Sequence, residues 1–174
     1  MKTLPLIVIL LSASVVLAGV LTSTKDPENL SSVGVSWKSF DEGVILAGQQ
    51  KKKLLIDVYT DWCSWCKKMD KEVYPSEKVR AALVTHFIAV KLDAESNKKL
   101  SYRGSSVSEQ EFARLLGVNG YPTTLFFDEE MKPITMLPGY VNAESFADIL
   151  TYVGQDHYRN IPYKDYLNTL KRPQ

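Results

Sequence analysis

The sequence predicts an α/β fold in which a central mixed β-sheet is flanked by α-helices. Three patterns carry that expectation. Residues 53–60 (KLLIDVYT) and 86–92 (HFIAVKL) are apolar, β-branched runs of strand length. Helical segments with capping signals alternate with them. Two further short strands, 123–128 and 134–137, are joined across 129–133, a connection short enough for an antiparallel hairpin.

Taken in order, the chain opens with Lys2 and then 22 residues, 3–24, without a charged side chain. Residues 4–21 are apolar apart from Pro5, Ser12, Ser14 and Gly19. A basic start, an apolar centre and the small residue Ala18, with Val16 two positions earlier, describe a secretory signal over 1–18. An uncleaved anchor is the alternative, because a stretch of this length reaches the lower limit for spanning hydrocarbon. No cysteine follows Gly19 to accept a lipid. Residues 19–32, with Pro27 and the pair Ser31-Ser32, read as a linker, and the folded domain is expected over 33–155.

Ser39 and Glu42 have capping-box spacing ahead of Val44, Ile45 and Ala47, so a short helix is expected there. Lys51, Lys52 and Lys53 read as a solvated turn before the first strand. A helix beginning around Cys63 follows that strand almost at once, extends through Lys67, Lys68, Met69 and Glu72, and should end or kink at Pro75. Ser76 is placed to cap another helix through Leu83. After the second strand, 93–107 is polar, holds Gly104, Ser105 and Ser106, and reads as a loop with at most a helical turn. Ser108 and Glu111 repeat the capping-box spacing before Phe112, Leu115 and Leu116. Asn142 caps a helix with Phe146, Ile149, Leu150 and Val153 on one face. In the tail, 156–174, Tyr163, Tyr166, Leu167 and Leu170 recur at helical spacing, which suggests packing onto the domain.

At 174 residues and 45% hydrophobic content, one domain with a sizeable core is expected. The 21 basic and 20 acidic side chains leave a formal charge of +1, which provides no field for gathering phosphates, so nucleic acid is not an expected partner.

Chemistry concentrates at the only two cysteines, Cys63 and Cys66. A bridge between them closes a loop so short that it would constrain the unfolded chain very little. Its use must be sought in reactivity. Cysteines at i and i+3 opening a helix reach the helix end, where unpaired N–H groups and the positive end of the dipole stabilise a thiolate. Cys63, nearer the end, is the expected nucleophile and Cys66 the resolving residue. The competing reading of Cys-x-x-Cys is half a zinc site, which needs four ligands. The only histidines, His86 and His157, show no metal-like spacing, so neither metal nor other cofactor is expected. Asp57 lies six residues before Cys63 in an otherwise apolar strand, where burial should raise its pKa and suit it to proton transfer.

Together, YTDWCSWCKKMD (59–70) and GYPTTLFFD (120–128) strongly resemble the thioredoxin superfamily, over about residues 33–153. The likeness is nearest the bacterial periplasmic branch of SoxW-like thioredoxins and DsbD C-terminal domains, which LPGYVNAESFADIL (137–150) also fits. The resemblance implies a thioredoxin fold, a cis Tyr121-Pro122 bond, and Lys91 as the partner of Asp57. It further implies protein disulfides as substrates, a membrane thiol transporter as electron donor and a periplasmic location. An Asp57–Lys91 pair without kinetic weight is the alternative. Beside the cysteines, the Tyr121 backbone could receive an extended substrate segment, and Trp62 and Trp65 could form an apolar rim. Ser64-Trp65 stands where thioredoxin has Gly-Pro. Neither residue is cationic, which favours a reductant over a strong oxidant. A disulfide oxidase or isomerase of the same fold, and a binding module whose disulfide is permanent, are the competing functions.

Overall fold

The computed structural model describes residues 34–170. The expected leader over 1–18, the linker over 19–32, Val33 and residues 171–174 of the tail lie outside the described residues. Helix α1 (Phe40–Gln50) precedes strand β1 (Lys53–Tyr59), which leads through a tight turn into α2 (Ser64–Lys68). A π-helical turn over Met69–Val73 prolongs α2 and stops before Pro75, whose ring forbids the next helical turn. Then follow α3 (Glu77–His86), β2 (Phe87–Asp93), β3 (Lys99–Tyr102), β4 (Ser105–Ser108), α4 (Glu109–Leu115), β5 (Thr123–Phe127), β6 (Pro133–Pro138), α5 (Ala143–Gly154), a 3-10 turn (His157–Arg159) and α6 (Tyr163–Leu170).

The main sheet has the order β2-β1-β5-β6. β1 runs parallel to β2 and antiparallel to β5, and β5 pairs antiparallel with β6, so the sheet is mixed. β1 is central and buried on both faces, which is why its sequence reads as a nearly continuous apolar run. Its period of two divides the molecule. Leu54, Ile56 and Val58 join Val90, Leu92, Phe112, Leu125 and Phe127 in a core under α1 and α4. Leu55 faces the other way, with Phe87, Phe126, Met69, Val73, Leu83, Phe146 and Leu150, under α2, α3 and α5. Asp57 shares the Leu55 face by parity, and the register sets it opposite Lys91 in β2 and Thr124 in β5.

Several local expectations need correction. His86 is the last residue of α3, and β2 begins one residue later. The segment taken for a loop holds β3 and β4, a hairpin turned by Arg103 and Gly104, both at positive φ. Ser39 occupies the N-cap of α1 without a side-chain bond, and Glu42 pairs with Lys38 at 3.0 Å instead of reaching back to the cap. Ser76 likewise makes no capping bond. Lys53 is buried, not solvated: its ammonium reaches the Gly154 carbonyl (3.1 Å) and Asp156 (3.0 Å), tying the start of β1 to the end of α5. By contrast Ser108 and Glu111 form both bonds of a capping box. Asn142 caps α5 through the Ser145 N–H. The tail returns to α5 through Tyr152, whose ring meets Tyr163 and Tyr166 at 5.1 and 5.2 Å.

Gly43 sets how closely α1 approaches the sheet. A Cβ there would lie 2.3 Å from Val90 Cγ2 and 3.2 Å from Leu54 Cδ1, both in stiff, fully buried surroundings. Gly43→Ala should therefore destabilise the domain by about 1–3 kcal/mol through overpacking, despite alanine's better helix propensity. Urea unfolding measures this, and an unchanged or raised midpoint would contradict the close-approach reading.

Candidate active site

The site forms where β1 hands the chain to α2. Cys63 is the N-cap of α2 in extended backbone, and its sulfur accepts the Cys66 N–H at 3.0 Å. The two sulfurs are joined in a disulfide, with the Cα atoms 5.3 Å apart. A helix leaves its first N–H groups without internal partners. Here one of them is aimed at the sulfur that would carry charge once the bridge is reduced, which is the arrangement that lowers a thiol's pKa. Both cysteines are buried, so what separates them is position: Cys63 is the cap and Cys66 lies one turn inside.

Asp57 is 1% exposed. Its Oδ2 is held by Lys91 Nζ at 2.5 Å, and the same ammonium reaches Asp70 Oδ1 at 2.6 Å. Burial raises the Asp57 pKa above the ordinary carboxylate range, against the lowering pull of Lys91. Lys91 is also desolvated, which alone would lower its pKa, but Asp57 and Asp70 together hold it above the usual lysine value. Three rings surround the ammonium: Trp37, Tyr59 and Tyr74, with centroids at 4.7, 5.1 and 5.2 Å. A cleft of about 480 Å³, lined by Trp37, Asp70, Tyr74, Arg80 and Lys91 among others, adjoins this cluster.

The Tyr121-Pro122 peptide is cis. Trp62 stands exposed beside it, edge-on to Tyr121 (centroids 5.8 Å apart), with its indole N–H donated to Glu95 Oε1 at 2.9 Å. Trp65, also exposed, packs instead against Tyr140 at 5.2 Å, and Lys68 Nζ lies 5.1 Å from both ring centroids. The two tryptophans are thus parts of separate walls. The structure brings together Cys63 with Cys66, Asp57 with Lys91, and Trp62 with Tyr121; Trp65, next to Cys66 in α2, turns its ring to Tyr140.

Sequence reasoning passed over Asp70, Tyr74, Trp37, Glu95 and Tyr140. Asp70 had a signal, since it lies four residues after Cys66 and so about one helical turn along. Tyr74 follows Asp70 by one further turn, while Trp37, Glu95 and Tyr140 come from distant segments and carried none.

Residues 40–154 match the family model of the thioredoxin-like domain, and the chain belongs to that family, within the thioredoxin superfamily. It is 31% identical over 107 residues to the thiol:disulfide interchange protein DsbD of Actinobacillus pleuropneumoniae, covering 60% of this chain and 17% of that protein. DsbD of Pseudoalteromonas atlantica is 31% identical over 110 residues, 62% of this chain and 17% of the relative. The chain thus spans about a sixth of the length of these relatives. A thioredoxin-fold protein from Helicobacter pylori superposes with a TM-score of 0.59 at 24% identity, covering 70% of this chain and 81% of the other. The oxidised C-terminal domain of Neisseria meningitidis DsbD gives 0.50 at 19% identity, covering 69% and 90%. At these identities the structural likeness is one of fold.

The raised Asp57 pKa has a thermodynamic consequence. In the unfolded chain Asp57 loses its proton near pH 4, whereas the folded chain retains it to higher pH. The native state then binds more protons than the unfolded state, so stability falls as pH rises through that window. Lys91, Asp70 and Tyr74 are the charged and titratable groups facing Asp57, and Lys91 stays charged throughout. Asp57→Asn should remove a loss of up to about 1.4 kcal/mol per pH unit across the window. Urea unfolding of both proteins at stepped pH reads it; parallel curves would show that Asp57 is not buried against its charge.

Proposed function

We propose that this protein is an exported thiol-disulfide oxidoreductase that reduces disulfides in other proteins of the periplasm. The observation that carries the reading is Cys63 at the N-cap of α2 with the Cys66 N–H on its sulfur. In this reading residues 1–18 are a leader, cleaved or kept as an anchor, 19–32 a linker, 33–155 the catalytic domain and 156–174 a tail upon it. Among the described residues no helix is long and apolar enough to cross a membrane.

In its reduced form Cys63 attacks a partner's disulfide as a thiolate. One partner sulfur becomes bonded to Cys63, and the other leaves as a thiolate that takes a proton. Cys66 then gives its proton to Asp57 and attacks the Cys63 sulfur, forming the Cys63–Cys66 bridge and releasing the partner's second sulfur as a thiolate, which takes a proton from solvent while Asp57 returns its own to solvent. Two electrons have passed to the partner, and a membrane thiol transporter restores the dithiol by the reverse exchange. No cofactor takes part. Lys91 sets the Asp57 charge, while Trp62, Trp65, Tyr121 and Pro122 meet the substrate segment, whose backbone pairs beside the cis bond.

The direction rests on the neutral Ser64-Trp65 pair, which offers no cation to stabilise the reduced thiolate beyond the helix end. Equilibration of the Cys63–Cys66 couple against reference dithiols should give a potential near the thioredoxin value of about −270 mV; one near −120 mV would make the protein an oxidant.

Cys63→Ser should abolish insulin reduction. Cys66→Ser should instead accumulate mixed disulfides at Cys63, separable by non-reducing electrophoresis from the exporting cell. Insulin reduction that survives Cys63→Ser, or an absence of trapped species, would remove the enzymatic reading.

A further inference from the structure

Two buried polar atoms in the acid cluster, Asp57 Oδ1 and the Tyr74 hydroxyl, make no close hydrogen bond; their side chains interact with each other, and Thr124 also lies beside the hydroxyl. Both side chains are almost fully enclosed, at 1% and 3% exposure. An unsatisfied polar atom in such surroundings is costly, and two of them on neighbouring side chains call for a common explanation. The side chains are close enough for each to perturb the other, and burial followed by the Asp57 charge drives the Tyr74 pKa well above its ordinary value, so the phenol keeps its proton. Lys91 fixes the pair from one side, with its ammonium on Asp57 Oδ2 and 5.2 Å from the centre of the Tyr74 ring. The ring itself is locked edge-on by Trp37 at 4.8 Å and Phe146 at 5.8 Å.

We propose that Tyr74 is a positioning residue for the proton acceptor: its hydroxyl serves Asp57 Oδ1 as donor when the carboxylate is charged and as acceptor when it is protonated. Lys91 has only protons to give, so it can serve Oδ2 in either state but cannot accept a proton carried on Oδ1. With Oδ2 occupied by that ammonium, Oδ1 is the oxygen left to take the Cys66 proton. The hydroxyl turns from giving its own proton to receiving the one on Asp57. The phenol proton never leaves Tyr74, and the balance of the exchange is unchanged. Asp57 therefore changes charge inside the protein without orphaning an oxygen in either state.

The inference rests on Asp57 acting as the base for Cys66, and the test separates the two. A mixed disulfide between Cys63 and a chromogenic thiol is preformed, and its resolution by Cys66 is followed against pH. Tyr74→Phe keeps the ring packing and removes the donor, so the charged carboxylate becomes harder to form. The acid limb of the profile should move up by about one pH unit, a roughly tenfold slower resolution at a fixed pH on that limb. The groups facing Asp57 from other elements, Lys91 on β2 and Asp70 on the π-helical turn, are unchanged in this variant. Should phenylalanine at 74 prevent folding, 3,5-difluorotyrosine at that position keeps the shape with a stronger donor, and the limb should move down. Asp57→Asn is measured in parallel. If it slows resolution while both Tyr74 substitutions retain the parent profile, the Tyr74 role is overturned and the base stands. If Asp57→Asn leaves rate and profile untouched, the base reading falls and this inference with it.

Discussion

A strand buried on both faces is an expensive place for a carboxylate, and around that constraint the working half of the molecule is arranged. Asp57 sits in β1 between Ile56 and Val58, and its cost is met by a single cation, Lys91, set opposite it by the parallel register with β2. The same strand ends two residues later and delivers the chain to the cap of α2. Acid and sulfur are therefore held by one rigid element. A slip of one residue in β1 would turn Asp57 into the wrong core, beneath α1 and α4, and move the cysteines with it.

Surface chemistry is arranged with comparable economy. On one side of the cysteines Trp62 is tied to Glu95 and braced on Tyr121; on the other, Trp65 lies against Tyr140 under Lys68. On the proposed function, exposed indoles held in fixed orientations would offer a docking partner large apolar faces at low entropic expense.

Much of this was legible in the sequence, for reasons that differ by residue. β1 announced itself because burial on both faces removes polar residues, and Asp57 stood out against that background. The cysteine spacing revealed the helix start. The Ser108 and Glu111 capping box forms even with Lys99 at 3.5 Å from the same Glu111 oxygen, whereas at Ser39 the same spacing gives no box and Glu42 pairs with Lys38. The β3-β4 hairpin escaped notice because its strands, KLSY and SSVS, are largely solvated, with Leu100 the one fully enclosed side chain of β3. Alternation cannot be read where so little is buried. The cage around Lys91 was largely invisible for a different reason: Trp37, Tyr59 and the turn that carries Asp70 and Tyr74 converge from separate segments, and nothing in the sequence encodes their meeting.

That cage also decides which member of the acid–base pair titrates. Stripping water from Lys91 pushes it toward losing its proton, yet two carboxylates at hydrogen-bond distance outweigh the loss and keep it charged. Among the described residues the cation on Asp57 is Lys91, shared with Asp70, and burial outweighs it. Sharing is the essential feature. Were Lys91 devoted to Asp57 alone, the carboxylate would be held more firmly in its charged form and would be a poorer proton acceptor. Asp70, half-exposed, takes part of the ammonium's attention, and burial then raises the Asp57 pKa above the ordinary carboxylate range; on the proposed function, that direction suits a group that must accept a thiol proton.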